Sequence, residues 1–347
     1  MPAKEEYLRE PVKHIDPKSF NAVPILEAMA HMSYQARHLA RAAQIYERML
    51  EDPDCTIILC LAGSLINAGL RLCVVELLRH RMADVVVATG ANIVDQDFLE
   101  ALGFRHYIGS PEVDDNELRE LRIDRIYDTF LDEDDLRVCD HTVAAIADSL
   151  APRVYSSREF VQEMGRYLVE RGLGEDSIVR VAYEKAIPIF IPAFSDCSAG
   201  FGLVLHQWHR PERHVAIDSV KDFRELTSLK IAAKETGLVM VGGGVPKNFA
   251  QDVTVAADVL GFPVPMHKYA VQITTADVRD GGLSGSTLKE ASSWGKVAQG
   301  FSEMVWAEAT LVFPLLVSYV YHKGAWQARA EKRLAEWLDQ RAARAAA

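Results

Sequence analysis

Short unbroken apolar runs alternate with amphipathic stretches along most of the chain. Thr56 to Ala62 (TIILCLA), Val85 to Ala88, Ile187 to Pro192, Leu238 to Val241 and Tyr269 to Thr274 are runs of the kind that fill a parallel sheet covered on both faces. Val215 to Asp218 reads as a further strand. Between them, spacing of three and four predicts helices over Leu70–Arg81, His141–Leu150, Ser157–Arg171, Ser177–Tyr183 and Val220–Glu235. Pro24 to Leu50 carries Ile25, Met29, Met32, Ala36, Leu39, Ala43, Tyr46 and Leu50 at that spacing, which predicts one long helix packed on the core. Val305 to Tyr321 is strongly apolar and is expected to pass through the core. Asp114 to Asp140, with its Asp132-Glu-Asp-Asp135 run, reads as a solvated face or loop.

Strand, small-residue loop and helix in repetition is the grammar of βαβ units. Loops of small residues recur at strand ends, at 62–69, 89–92, 195–200, 242–244 and 275–286. Five such loops fit one parallel sheet gathering a single site along its carboxyl edge. The expected fold is therefore α/β, a Rossmann-like doubly wound, mostly parallel sheet flanked by helices in a single large domain over 23–325. Residues 1–22 are polar with prolines at 2, 11 and 17 and predict an arm that packs on a neighbour or on the site. Residues 326–347 predict a surface helix with a frayed end. No loop matches G-x-G-x-x-G. Gly242-Gly243-Gly244 after a buried strand fits either close approach of a ligand or a tight turn.

Composition changes this picture little. The 347 residues are 49% hydrophobic and 25% charged, ordinary for a soluble globular chain. A net charge of −11 argues against nucleic-acid partners, which require a basic footprint. The longest apolar run is too short to span a bilayer and contains Pro314, so no membrane association is expected. The five cysteines show no CxxC or Cys/His clustering, so neither a metal site nor a disulfide framework is predicted, and a reduced cytoplasmic setting is expected. His206, His209 and His214 read as packing or surface residues. No GxSxG or Cys/His signature suggests hydrolysis.

The chemistry concentrates in Asp280 to Lys296. Ser286 or Thr287 can cap a helix carrying Glu290 on its first turn, and Gly295 breaks that helix just before Lys296. An aromatic wall (Trp294), a carboxylate and a lysine in one unit suit amine chemistry through a covalent imine. A surface loop with a solvated lysine fits the same residues.

Ser293-Trp294-Gly295-Lys296, with Glu290 upstream and Ala309-Thr-Leu-Val-Phe-Pro-Leu-Leu316 downstream, resembles the deoxyhypusine synthase family. The similarity extends through Leu65-Ile66, Ala88-Thr89-Gly90, Phe194-Ser195-Asp196, Leu238 to Gly244 with Lys247, and Thr275-Ala276. The resemblance implies an NAD-dependent transferase of a polyamine's aminobutyl group through an enzyme-linked imine. The acceptor is a lysine of the translation factor eIF5A in deoxyhypusine synthase, and putrescine in homospermidine synthases. It further implies a homotetramer with sites at subunit interfaces.

Carried over by position, Lys296 is the imine-forming nucleophile, Trp294 the wall of the amine channel and Glu290 an ammonium partner. Thr89, Gly90, Asp196, Gly242, Gly243, Thr275, Ala276, Asp280 and Ala307 match NAD contacts, and Glu308 replaces an aspartate. Ser64 and Asn67 stand where the family has asparagine and serine. The glutamate after the Thr89 loop corresponds to Asp95 or Asp97. The pocket histidine falls at Asn248, and two amine-anchoring aspartates fall at Phe201 and Leu283. Each lost carboxylate removes a charge-assisted hydrogen bond of about 1.5–3 kcal/mol. Asp252, in place of an asparagine, is expected to restore one charge. The altered anchors favour small amines, with spermidine or putrescine as substrate and a homospermidine-type product, over modification of a protein lysine or a catalytically silent NAD-binding homologue.

Overall fold

The computed structural model describes residues 3–346. Positions 1, 2 and 347 of the predicted arm and tail lie outside them. The apolar runs become a six-stranded sheet: β1 (Cys55–Leu61), β2 (Val85–Ala88), β3 (Ile189–Phe190), β4 (Glu235–Val241), β5 (His267–Thr274) and β6 (Val297–Trp306). Their order across the sheet is β6-β5-β4-β1-β2-β3, and every pairing is parallel. The chain winds outward from β1 through β2 to β3, returns to place β4 on the other side of β1, and winds out again. That reversal puts a crevice at the carboxyl ends of β1 and β4.

Side-chain alternation divides the interior in two. Ile57, Leu59, Leu61, Val239 and Val271 point to one face, covered by helices Tyr34–Glu51, Arg71–Arg79, Ser157–Glu170 and Ala309–Lys323. Ile58, Cys60, Leu238, Met240 and Ala270 point to the other, covered by Ser219–Ala232, Gly244–Gln251, Val253–Val259, Leu288–Ser293 and Leu334–Ala346. Burial on both faces explains why the strands read as continuous runs rather than alternations.

Several elements differ from the sequence expectation. The long helix is two, Val23–Met29 and Tyr34–Glu51, separated by a turn, and the second helix opens on Tyr34 at φ 57°. Ile25 and Met32 consequently lie exposed rather than in the core. The acidic stretch is not a loop. It forms helix Asp115–Glu120, two strands (Ile123–Ile126 and Thr129–Asp132) in an antiparallel sheet with His106–Ile108, and the start of helix Glu133–Ser149. Its acids are used locally, Asp114 and Asp132 as N-caps. Ala216–Ile217 pairs with Val154–Tyr155 outside the main sheet. β6 escaped prediction because it is an edge strand with polar residues in its middle, where Gln299 and Gly300 are exposed. The apolar Val305–Tyr321 stretch splits into the end of β6 and helix Ala309–Lys323.

Both ends of the chain are docked on this body. In the arm, His14 Nε2 meets the buried Glu100 carboxylate at 2.6 Å and Lys18 meets the buried Glu76 at 2.8 Å. The C-terminal helix buries Ala335 and Leu338, and Arg329 ahead of it reaches Asp84 at 2.6 Å. Among the described residues, no helix is long and apolar enough to cross a membrane.

Candidate active site

The loops at the carboxyl ends of the strands are held by buried amides. Asn92 donates to the carbonyls of Ala62 and Gly63 and to Thr89 Oγ1, and accepts from Leu65 N–H. Thr89 Oγ1 donates to Gly63 O at 2.9 Å, and Gln96 Oε1 accepts from the N–H groups of Ile66 and Asn67. Neither Asn92 nor Gln96 was singled out from sequence. Asn92 and Gln96, interleaved with apolar positions and two aspartates in the helical segment Ala91–Phe98, were the available signal, since buried amides must find partners. At the crevice Gly242 takes φ 78°, and a Cβ there would lie 2.9 Å from Ala62 Cβ. A Cβ on Gly243 would lie 2.5 Å from Ser284 Cα, so the loop after β5 rests on that glycine.

Asp95 accepts the N–H of Ser198 at the start of helix Ser198–His209. Burial pushes its carboxyl up to about 7, the Ser198 bonds oppose this, and the charges of Asp140 and Asp196 add to it. Asp97 is committed elsewhere: fully buried, it accepts from Ser177 Oγ and from the N–H groups of Ile178 and Val179. Of the two alternatives for the glutamate position, only Asp95 faces the edge. Ser64, Asp196, Thr275, Ala276, Asp280, Ala307 and Glu308 all fall on loops at this carboxyl edge. Glu308 also caps helix Ala309–Lys323 through the N–H groups of Thr310 and Leu311. Asn67 is buried, and its Oδ1 has no partner within the described residues.

Lys296 sits elsewhere. Thr287 and Glu290 form a capping box on helix Leu288–Ser293, and Gly295, at φ 70°, ends it. Lys296 follows, at the amino end of β6, with its Nζ turned into a cavity of about 830 Å³ on the smaller face of the sheet. Asp252 Oδ1 lies 2.5 Å from Nζ, Asn248 Oδ1 3.4 Å, and the Trp294 ring centroid 5.2 Å. Asn248 Nδ2 donates to Asp252 Oδ2 at 2.8 Å, orienting that carboxylate. Asp252 therefore does not stand free to replace a lost substrate anchor. It is the lysine's own counter-ion.

The cavity joins Leu283, Glu290, Asn248, Asp252, Trp294 and Lys296. It does not include Phe201, which lies half-exposed on helix Ser198–His209 near the opposite edge of the sheet. His267 and Thr274, opposite Val297 and Trp306, are seven steps of about 3.3 Å apart, so Lys296 and the Thr275 loop stand roughly 23 Å apart along the strands. The loop of Leu283 to Ser286 bridges the two zones. It is pinned by Lys247, 1% exposed, whose Nζ donates to Leu283 O, Ser286 O and Ser286 Oγ. Burial pushes that ammonium down to about 8, with Glu290 raising it and Lys296 lowering it further. Lys247 carried no assigned role in the sequence. His206 is a packing residue, its ring held between Asp148 and the N–H of Val215.

Comparison with known proteins identifies the family. The family profile for deoxyhypusine synthase matches residues 24–320. The chain belongs to the deoxyhypusine synthase family. It is 62% identical over 337 residues to the deoxyhypusine synthase-like protein of Chlorobaculum tepidum, covering 97% of this chain and 96% of that one. It is 41% identical over 318 residues to the "Probable deoxyhypusine synthase 2" of Methanosarcina mazei, covering 91% of each. Among solved structures, the "putative deoxyhypusine synthase from Entamoeba histolytica" shares the fold, with a TM-score of 0.59 at 21% identity over 90% of this chain and 97% of that one.

Proposed function

We propose that this member of the family is a transferase that moves an aminoalkyl group between small amines through an imine on Lys296. The observation that carries the reading is the environment of Nζ: mostly buried, 2.5 Å from one carboxylate, beside an indole face at the wall of a substrate-sized cavity. When Lys296 Nζ attacks an iminium or carbonyl carbon, Asp252 is placed to take the proton it sheds and to return it when an acceptor amine displaces the lysine. Trp294 offers its ring face to an ammonium, and Glu290 on the same wall offers a carboxylate.

NAD bound at the carboxyl edge supplies acceptance of hydride from the donor carbon and its return at the end of transfer. The edge fits a dinucleotide on two grounds. Gly242 and Gly243 let the backbone around Ala62 and Ser284 close against the strand ends, and the buried Asn67 Oδ1 lacks a partner within the described residues. Thr89, Gly90, Asp95, Asp196 and Gly243 are the residues we assign to hold it, with Thr275, Asp280 and Glu308 on the adjoining loops.

Asp196 and Phe201 follow β3 at one edge of the sheet, and Lys296 precedes β6 at the other. Six strands put these edges about 24 Å apart, so a site using both draws on two copies of the chain. This supports a homo-oligomer, with the family's tetramer as its form. Putrescine and spermidine are the first amines to test, with a homospermidine-type product. Modification of a lysine of eIF5A is the second reading, supported by the name of the Methanosarcina relative.

Incubation with NAD and either amine, followed by borohydride and mass spectrometry, should find the aminobutyl adduct on Lys296. Lys296→Arg should bind NAD as before and give no adduct. No adduct with any amine would overturn the reading, and product analysis with putrescine against eIF5A separates the two acceptors.

A further inference from the structure

The N-terminal arm is tied to the two segments that carry the first loops of the carboxyl edge. One is the turn Ile66–Leu70, which holds Asn67. The other is the helical segment Ala91–Phe98, continued by Leu99–Ala101, which carries Asn92, Asp95, Gln96 and Glu100. Both are wound as π-helix, a rare, wide turn found frequently at functional sites. Ile15 N–H donates to Gly69 O at 3.0 Å. Gly69 takes φ 95°, and a Cβ there would lie 2.8 Å from Lys13 O, so the arm passes directly over this glycine. His14 Nε2 and Arg71 Nη1 both donate to the buried Glu100 Oε2 at 2.6 Å, and His106 Nδ1 donates to Oε1 at 2.8 Å. Burial alone would raise the Glu100 carboxyl, but the bonds from His106 and His14 and the charges of His14 and Arg71 hold it down to about 2. An anionic acceptor of this kind makes bonds roughly twice as strong as neutral ones. The turn under the arm also holds an unsatisfied group. Asn67 is 3% exposed, its N–H is fixed to Gln96, and its Oδ1 has no partner within the described residues.

We propose that His14 and Ile15 are positioning residues for the dinucleotide. By holding Glu100 and Gly69 from behind, the arm fixes the turn that presents Asn67, so that arm docking and cofactor binding are coupled. The inference rests on the assignment of NAD to this edge and adds the arm to it. Coupling of this kind is reciprocal: what the arm does for the cofactor, the cofactor does for the arm.

The test is the Kd for NAD of the full chain, read by calorimetry, with hydrogen exchange at the Ile15 amide reporting whether the arm is docked. His14→Ala removes one of the three bonds to Glu100. It should speed Ile15 exchange and raise the Kd about tenfold. His14→Gln can still donate to Glu100 and should restore both. Ile15→Pro removes the N–H that Gly69 O accepts and should raise the Kd to a similar extent. Borohydride trapping of butanal at Lys296 needs no NAD and should keep its rate in all three variants. There Nζ adds to the aldehyde carbon, water leaves, and hydride from borohydride reduces the C=N bond to a secondary amine. In the other direction, saturating NAD should slow exchange at Ile15, while the amide of Trp337 on the C-terminal helix keeps its rate. Faster Ile15 exchange with an unchanged Kd overturns the coupling, as does an unchanged Kd in Ile15→Pro or Ile15 exchange that NAD leaves unaltered. Loss of trapping in parallel with NAD affinity also overturns it, because the arm would then serve the whole fold. A wild-type chain that binds no NAD overturns the cofactor assignment itself, and the coupling with it.

Discussion

The crevice at the carboxyl edge and the cavity around Lys296 are built from different materials. The crevice is made of backbone: glycines that permit close approach, carbonyls and N–H groups tied by Asn92 and Gln96, and a loop resting on Gly243. The cavity is made of side chains, with one ion pair set in a hydrocarbon wall. Backbone geometry depends on a few glycines and buried amides, and the residues we assign to the dinucleotide lie on these loops. Side-chain chemistry changes with single substitutions, and Phe201 and Leu283 stand where the family resemblance leads us to expect amine-anchoring aspartates. A chain of this design can keep its reaction type while changing its substrate.

The most direct way to break this comparison is Asp252→Asn. It removes the counter-ion and proton acceptor of Lys296 while Asn248 remains beside it, and borohydride trapping should slow by roughly 10²-fold with NAD affinity unchanged. A parallel loss of NAD affinity would mean that the two zones are one. Gly243→Ala probes from the other side. Its Cβ would meet Ser284 Cα at 2.5 Å, so the loop must shift, and the Kd for NAD should rise about tenfold while NAD-free trapping of an aldehyde at Lys296 changes little.

Lys247, which ties the zones together, gives a pH signature. Its folded pKa lies near 8, below the ordinary lysine value near 10.4, so the unfolded chain binds the extra proton between these values. The cost of burying the charge is fully present below about pH 8 and is relieved as pH rises toward 10. Unfolding free energy should therefore climb across that window, by on the order of 2–3 kcal/mol from this group. Lys247→Met should remove about half of the climb, leaving a comparable part from Lys230, whose ammonium burial also pushes down to about 8. Chemical denaturation at stepped pH measures it, and an identical slope in the variant would remove Lys247 from the account. The smallest effect is expected from Thr287→Ala, which opens the capping box and should lower stability by about 1 kcal/mol with the Lys296 adduct still formed.

Much of this was legible before the structure because burial on both faces leaves a plain mark. TIILCLA, VVVA and LVMV could hardly be anything but interior parallel strands, and the small-residue loops after them located the edge. The capping box at Thr287 and Glu290 follows from local spacing alone, as does the glycine that frees Lys296 from its helix. Elements with one side in water left a weaker mark. β6 was missed because of the polar residues in its middle, and the antiparallel strands within 114–140 were hidden under their own surface charge.

The sequence by itself determined the fold class and the family and pointed to Lys296 as the proposed nucleophile, because each depends on local pattern or on residues near one another in the chain. Tertiary structure alone decided what surrounds that nucleophile. Asp252 lies 44 positions before Lys296 and becomes its counter-ion only because helix Gly244–Gln251 crosses beside the start of β6. Lys247 becomes a buried pin only when the loop of Leu283 to Ser286 folds over it. Phe201 stands at the far edge of the sheet for the same reason. Pairing and burial depend on distance in space, which strand order sets and spacing along the chain does not.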